Sequence, residues 1–133
     1  MTSVTNIVFH PPFEARVTGD VLSFGISEPW YRSLPISCIV DLELRIDGQA
    51  VPADAITIAI DGIDRTIAEC RDAVESYWFV QDLAQIHVRG IRVGATADVM
   101  AHLVTRIPYI MVGPNMALPH HTVQAERFQV VSA

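Results

Sequence analysis

Over residues 37–47, apolar and polar side chains alternate along the chain. Cys38, Val40, Leu42, Leu44 and Ile46 fall on one face. Ser37, Asp41, Glu43, Arg45 and Asp47 fall on the other, with Ile39 as the exception. A period of two sends successive side chains to opposite sides of a strand, so this segment needs one dry side and one wet side. Antiparallel sheets provide that environment. The run ends in Asp47-Gly48, a pair suited to the positive φ values of a tight hairpin turn. Pro52 follows shortly after, cannot donate to a ladder, and marks a break or an edge.

The same period recurs. Residues 56–60 read as a strand closed by a second Asp-Gly pair, Asp61-Gly62. Residues 6–9, 14–17 and 21–26 read as earlier strands, and 77–80, 85–89, 97–107 and 128–131 as later ones. In 97–107, Ala97, Val99, Ala101, Leu103 and Ile107 share a face against Asp98, His102 and Arg106. Thr66-Ile67-Ala68-Glu69 has the form of a capping box, and good helix formers continue through 73–75. The expected fold is all-β: one domain over residues 1–133, an antiparallel β-sandwich of about eight short strands with one short connecting helix.

Composition limits what such a domain does. At 133 residues and 14.7 kDa, size scaling predicts roughly 67% of the unfolded surface buried, enough for a core without metals or disulfides. Nine arginines, no lysine and a net charge of −6 leave no basic stripe for a phosphate backbone, so no nucleic-acid partner is expected. The charge-free stretch 108–121 holds three prolines and does not read as a membrane span. Residues 1–13 have no cationic leader pattern, which points to a cytoplasmic protein. Cys38 and Cys70 form no C-x-x-C pair and are expected to be reduced and buried. Only 18% of residues are charged while half are apolar, below and above the usual proportions. A small chain with that surplus is expected to share its apolar surface with a partner.

Catalytic signatures are lacking. There is no phosphate-binding glycine loop, no G-x-S-x-G elbow and no H-E-x-x-H. His120-His121, followed by Glu126, could suggest a metal barrel, but adjacent strand residues face opposite ways. His10, His87 and His102 are scattered. Asp61, Asp64 and Glu69 are explained by a turn and a helix cap. No catalytic or metal-binding residue is assigned in this chain. The most unusual segment is Glu28-Pro29-Trp30-Tyr31-Arg32-Ser33-Leu34-Pro35, where two prolines bracket residue types enriched at binding hot spots.

The run from Trp30-Tyr31-Arg32-Ser33-Leu34-Pro35-Ile36-Ser37-Cys38 through Asp41, Ile46-Asp47-Gly48 and Val51-Pro52 resembles the small (β) subunit of bacterial C-glycoside deglycosidases. The likeness extends more loosely through Tyr77-Trp78-Phe79 to Arg106-Ile107-Pro108-Tyr109, about residues 20 to 110. Ser33 stands where the family commonly has glycine, which bears on loop geometry. The resemblance implies a two-subunit lyase that eliminates the aglycone from 3-oxo-C-glycosides, such as oxidised flavonoid or aromatic C-glucosides. A larger TIM-barrel subunit would hold the catalytic base and a divalent metal, manganese, that stabilises enediolate charge. This chain would be the β-sandwich accessory subunit, with no cofactor of its own. Trp30, Tyr31, Arg32, Leu34, Tyr109 and Met111 would face the larger subunit or wall its substrate pocket. The competing readings are a stand-alone carbohydrate-binding β-sandwich using Trp30 and Tyr31, and a small metal-dependent β-barrel enzyme using His120 or His121.

Overall fold

The computed structural model describes residues 8–29, 33–79, 82–114 and 116–132. The strands in chain order are β1 (Glu14–Thr18), β2 (Val21–Ser27), β3 (Leu34–Pro35), β4 (Ile39–Ile46), β5 (Gln49–Ala50), β6 (Ile56–Ile60) and β7 (Ile63–Arg65). Then come the helix α1 (Ile67–Arg71) and the strands β8 (Tyr77–Trp78), β9 (Leu83–Arg89), β10 (Thr96–Gly113) and β11 (Met116–Ser132). The all-β class with one short helix is what the chain adopts. Nine strands form one mixed sheet in the order β5-β4-β10-β11-β1-β2-β9-β6-β7, and β3 pairs with β8 in a separate ribbon. All its pairings are antiparallel except that of β1 with β11, which brings the first and last strands side by side.

Alternation becomes burial. Leu42, Leu44 and Ile46 of β4 are buried while Glu43 and Arg45 are exposed. Leu44 pairs with Ala101 and Leu42 with Leu103 of β10. Both Asp-Gly pairs make the expected turns: φ is +51° and +83° at Asp47-Gly48, and +60° and +77° at Asp61-Gly62. Positive φ at both central positions matches the right-handed twist of the flanking strands. One core cluster takes residues from β2, β4, β6, β9, β10 and α1, so the sheet curls round a single apolar interior. Phe9 stands edge-on to Phe24 and Phe128, at centroid distances of 5.9 and 5.0 Å.

The differences from the sequence expectation have local causes. Residues 36–38 form a turn of 3-10 helix rather than the start of β4. Pro35 precedes them without an N–H, and the amides of Ile36 and Ser37 donate to Ser76 O and Ala73 O instead of a ladder. The capping box is real: Glu69 N donates to Thr66 Oγ1 at 3.1 Å and Thr66 N to Glu69 Oε1 at 2.8 Å. The helix it starts ends at Arg71 rather than running on to 75, because the next residues serve the turn at 36–38. Arg71 itself donates to Val40 O, at 3.0 and 2.7 Å, on β4. Both cysteines are free and buried, and burial pushes the Cys70 thiol up to about 11. Residues 8 and 9 are not in a strand, and the rest of the expected 6–9 strand lies outside the described residues, as does residue 80. The largest miss is the β10–β11 hairpin, which runs far past the expected 97–107 and 128–131. No helix among the described residues is long and apolar enough to cross a membrane.

Removing the cap with Thr66→Ala should cost about 1 kcal/mol of stability, read as a lower denaturation midpoint, while Thr66→Ser should keep most of it.

Candidate functional site

Strand β4 accompanies β10 only as far as Thr105, which pairs with Ile39. Beyond that point β10 and β11 continue as a hairpin. Residues 107–119 contain no charged side chain. One side of this arm is anchored: Ile107, Leu34 and Cys38 form a small second core, with Ile110 and Leu118 packed on it. Other apolar side chains of the arm stay exposed: Tyr109 is 46%, Met111 56%, Val112 53% and Met116 57% exposed. Apolar side chains gathered in this way mark an interaction surface more often than scattered single ones do.

A bulge shapes the arm. Ile107 pairs with Leu118 and Met111 with Ala117, so Pro108, Tyr109 and Ile110 are the extra residues of the bulge. Bulges re-aim side chains and interrupt a ladder. Here the result is that Ile110 packs on the small core while its neighbours Tyr109 and Met111 meet solvent. Pro108 and Pro119 lack the N–H that a further strand would need, so the arm's edges are poor templates for β-addition.

Beside the arm lies the β3–β8 ribbon, with Leu34 paired to Trp78 and Pro35 to Tyr77. Trp78 is buried in the main core, and its indole N–H donates to Asp82 O at 3.0 Å. Tyr77 and Phe79 are exposed, their rings stacked 6.4 Å apart. Leu34 joins ribbon to arm and lies buried beneath the surface. Of the residues singled out from sequence, Tyr109 and Met111 are exposed on the arm, Leu34 is buried beneath it, and Trp30, Tyr31 and Arg32 lie outside the described residues. The sequence reading missed Tyr77, Phe79, Val112 and Met116. The signal available for the last two was the charge-free run itself.

A polar knot sits at the arm's root. Glu28 is only 4% exposed. Its Oε2 accepts from Leu34 N at 2.8 Å, while its Oε1 is buried without a hydrogen-bond partner among the described residues. Desolvation pushes this carboxyl up from 4.5 to about 7, opposed only by the Leu34 amide. Burial also raises the Cys38 thiol, against a lowering contribution from Arg106. Glu28 is thus sealed by its own chain and acts on the loop it anchors.

The histidines separate as the strand period requires. His120, half-buried, has its pKa lowered by burial and by His121, whereas His121 is exposed on the other side of β11. His87 contacts Ser23 Oγ through Nδ1 at 2.7 Å, and His10 contacts Ser27 Oγ through Nε2 at 2.7 Å. Among the described residues, no three His, Cys, Asp or Glu side chains converge as a metal-binding group.

Residues 14–109 match the family model described as C-glycoside deglycosidase beta subunit. A protein of that name from Microbacterium trichothecenolyticum is 31% identical over 119 residues, 89% of this chain and 91% of the relative. A 3'-dehydrocarminate deglycosidase beta subunit from a Microbacterium species is 37% identical over 91 residues, 68% and 69% of the two chains. A C-glycoside deglycosidase beta subunit from Arthrobacter globiformis is 28% identical over 122 residues, 90% and 92% of the two.

The raised carboxyl makes stability depend on pH. A group protonated more readily when folded stabilises the fold fully below its unfolded pKa, and that contribution is lost as pH rises through the folded value. Between pH of about 4.5 and about 7, the wild type should lose up to about 3 kcal/mol relative to Glu28→Gln, as unfolding titrations at each pH would show.

Proposed function

The chain belongs to the C-glycoside deglycosidase beta subunit family, and on that premise we propose that it is the accessory subunit that docks on, and completes, a larger catalytic subunit. The observation that carries this reading is the charge-free arm on which Tyr109, Met111, Val112 and Met116 are all exposed. A subunit that worked alone would leave this surface in water, where burying each such side chain is worth about 1.5–3 kcal/mol. The small core of Leu34, Cys38 and Ile107 behind it holds the arm in place before association, which reduces the entropy lost on docking.

In this reading the larger subunit is a TIM barrel that carries the base and a divalent metal, manganese. The reaction is a carbon–carbon lyase elimination on a 3-oxo-C-glycoside, with a flavonoid or related aromatic aglycone leaving. The ketone acidifies the neighbouring sugar carbon, so that removal of its proton allows the C–C bond to the aglycone to break. This chain contributes the surface, and through Trp30, Tyr31 and Arg32 a further contact with the partner or a wall of its pocket.

Co-expression with the larger subunit should give a co-eluting complex. Met111→Asp or Val112→Asp should weaken it by about tenfold or more, since each would bury a charge in an apolar interface. Trp30→Ala and Arg32→Ala should weaken it or lower its activity. Undiminished association and turnover in all four folded variants would overturn the reading, as would a stable monomer that binds glycans alone.

A further inference from the structure

Away from the docking end, the solvent side of the sheet brings two histidines together. His102 of β10 pairs across with Val123, and His121 of β11 with Val104. The two are therefore diagonal neighbours on one side of the hairpin. Their ring centroids are 5.2 Å apart, and a hydrogen bond of 2.9 Å joins His102 Nε2 to His121 Nδ1. We propose that this imidazole pair is a binding site for a divalent transition metal of the copper or nickel class, held by two protein nitrogens with water in the remaining positions.

Ligand chemistry selects the metal. Imidazole nitrogens suit first-row divalent metals, and affinity for such sites peaks at Cu2+, above Ni2+ and Zn2+. The 2.9 Å separation is that of the hydrogen bond between the rings, and a turn of each ring would let both nitrogens reach one metal at about 2.0–2.1 Å. The surroundings favour a cation on one side: Glu43 of β4 is the register partner of His102 and is exposed on the same side, its neighbours Leu42 and Leu44 being buried. Arg45, farther along that side, opposes it. His120 pairs with buried Thr105 and faces the other way, so it is not a ligand.

Binding balances without a redox step. Each neutral imidazole carries one hydrogen, and the hydrogen now between the rings moves through solvent to that ring's other nitrogen. Both facing nitrogens then offer a lone pair, and a turn of each ring aims the two at one metal. The reading explains why His120-His121 is uninformative as a sequence motif: the second ligand comes from the other strand of the hairpin.

The test is calorimetric titration of the intact chain with CuCl2, NiCl2 and ZnCl2, beside His102→Ala, His121→Ala and the remote His10→Ala. The wild type and His10→Ala should each bind one Cu2+ with the same affinity, and Zn2+ more weakly. Loss of either ligand should weaken Cu2+ binding by about tenfold or more, and the copper EPR spectrum should lose its two-nitrogen pattern. Absence of Cu2+ binding in the wild type, a preference for Zn2+, or wild-type affinity in either His102→Ala or His121→Ala would overturn the proposal.

Discussion

Opposite ends of one sheet rest on a single apolar core, and most other features of the molecule follow from that sharing. Leu42 and Leu44 of β4 and Ile56, Ile58 and Ile60 of β6 belong to the same buried cluster, although six strand positions separate β4 from β6 in the sheet. A flat sheet could not do this. The right-handed twist of its strands lets it curl until its ends approach, and α1 packs where they do, against β4, β6 and β7. Arg71 then supplies two donors to Val40 O on β4. Because only the inside of the curl is dry, each strand must be apolar on alternate residues.

The long hairpin obeys that rule only while it is part of the curl. Up to Ile107, alternate residues of β10 enter the interior. Past it, the arm has no core beneath it except the patch made with Leu34 and Cys38. Charge disappears from the sequence there, prolines enter, and the register slips by a bulge. Of the ten large apolar side chains exposed among the described residues, six lie on this arm and on the Tyr77–Phe79 pair. An apolar projection is a liability in water unless an interface covers it, and a family named for one subunit of an enzyme supplies the reason for such an interface.

Glu28 marks the junction between the two regimes. A carboxyl with one unpartnered oxygen is a poor choice for stability alone, since an unsatisfied buried acceptor costs about 1–3 kcal/mol. Its other oxygen holds the Leu34 amide at the start of β3, next to the small core at the arm's root.

Alternation, turn chemistry and capping were readable because each depends on residues close together in the chain. The 37–47 pattern, both Asp-Gly turns and the Thr66–Glu69 box needed no knowledge of the rest of the fold. The same locality explains the failures. Residues 36–38 look like strand until the loop at 73–76 takes their amides. Residues 108–114 and 116–127 look like irregular chain until β10 and β11 pair as one long, bulged hairpin. Glu28 is an ordinary loop acid in sequence, and its raised pKa exists only because distant groups exclude water from it. The meeting of His102 with His121 likewise depends on hairpin register. By itself the sequence determined the all-β class, the turns and the surplus of apolar side chains, since periodicity and backbone preference are local. Only the tertiary structure decided where the surplus is exposed, because burial is a property of which distant residues come together.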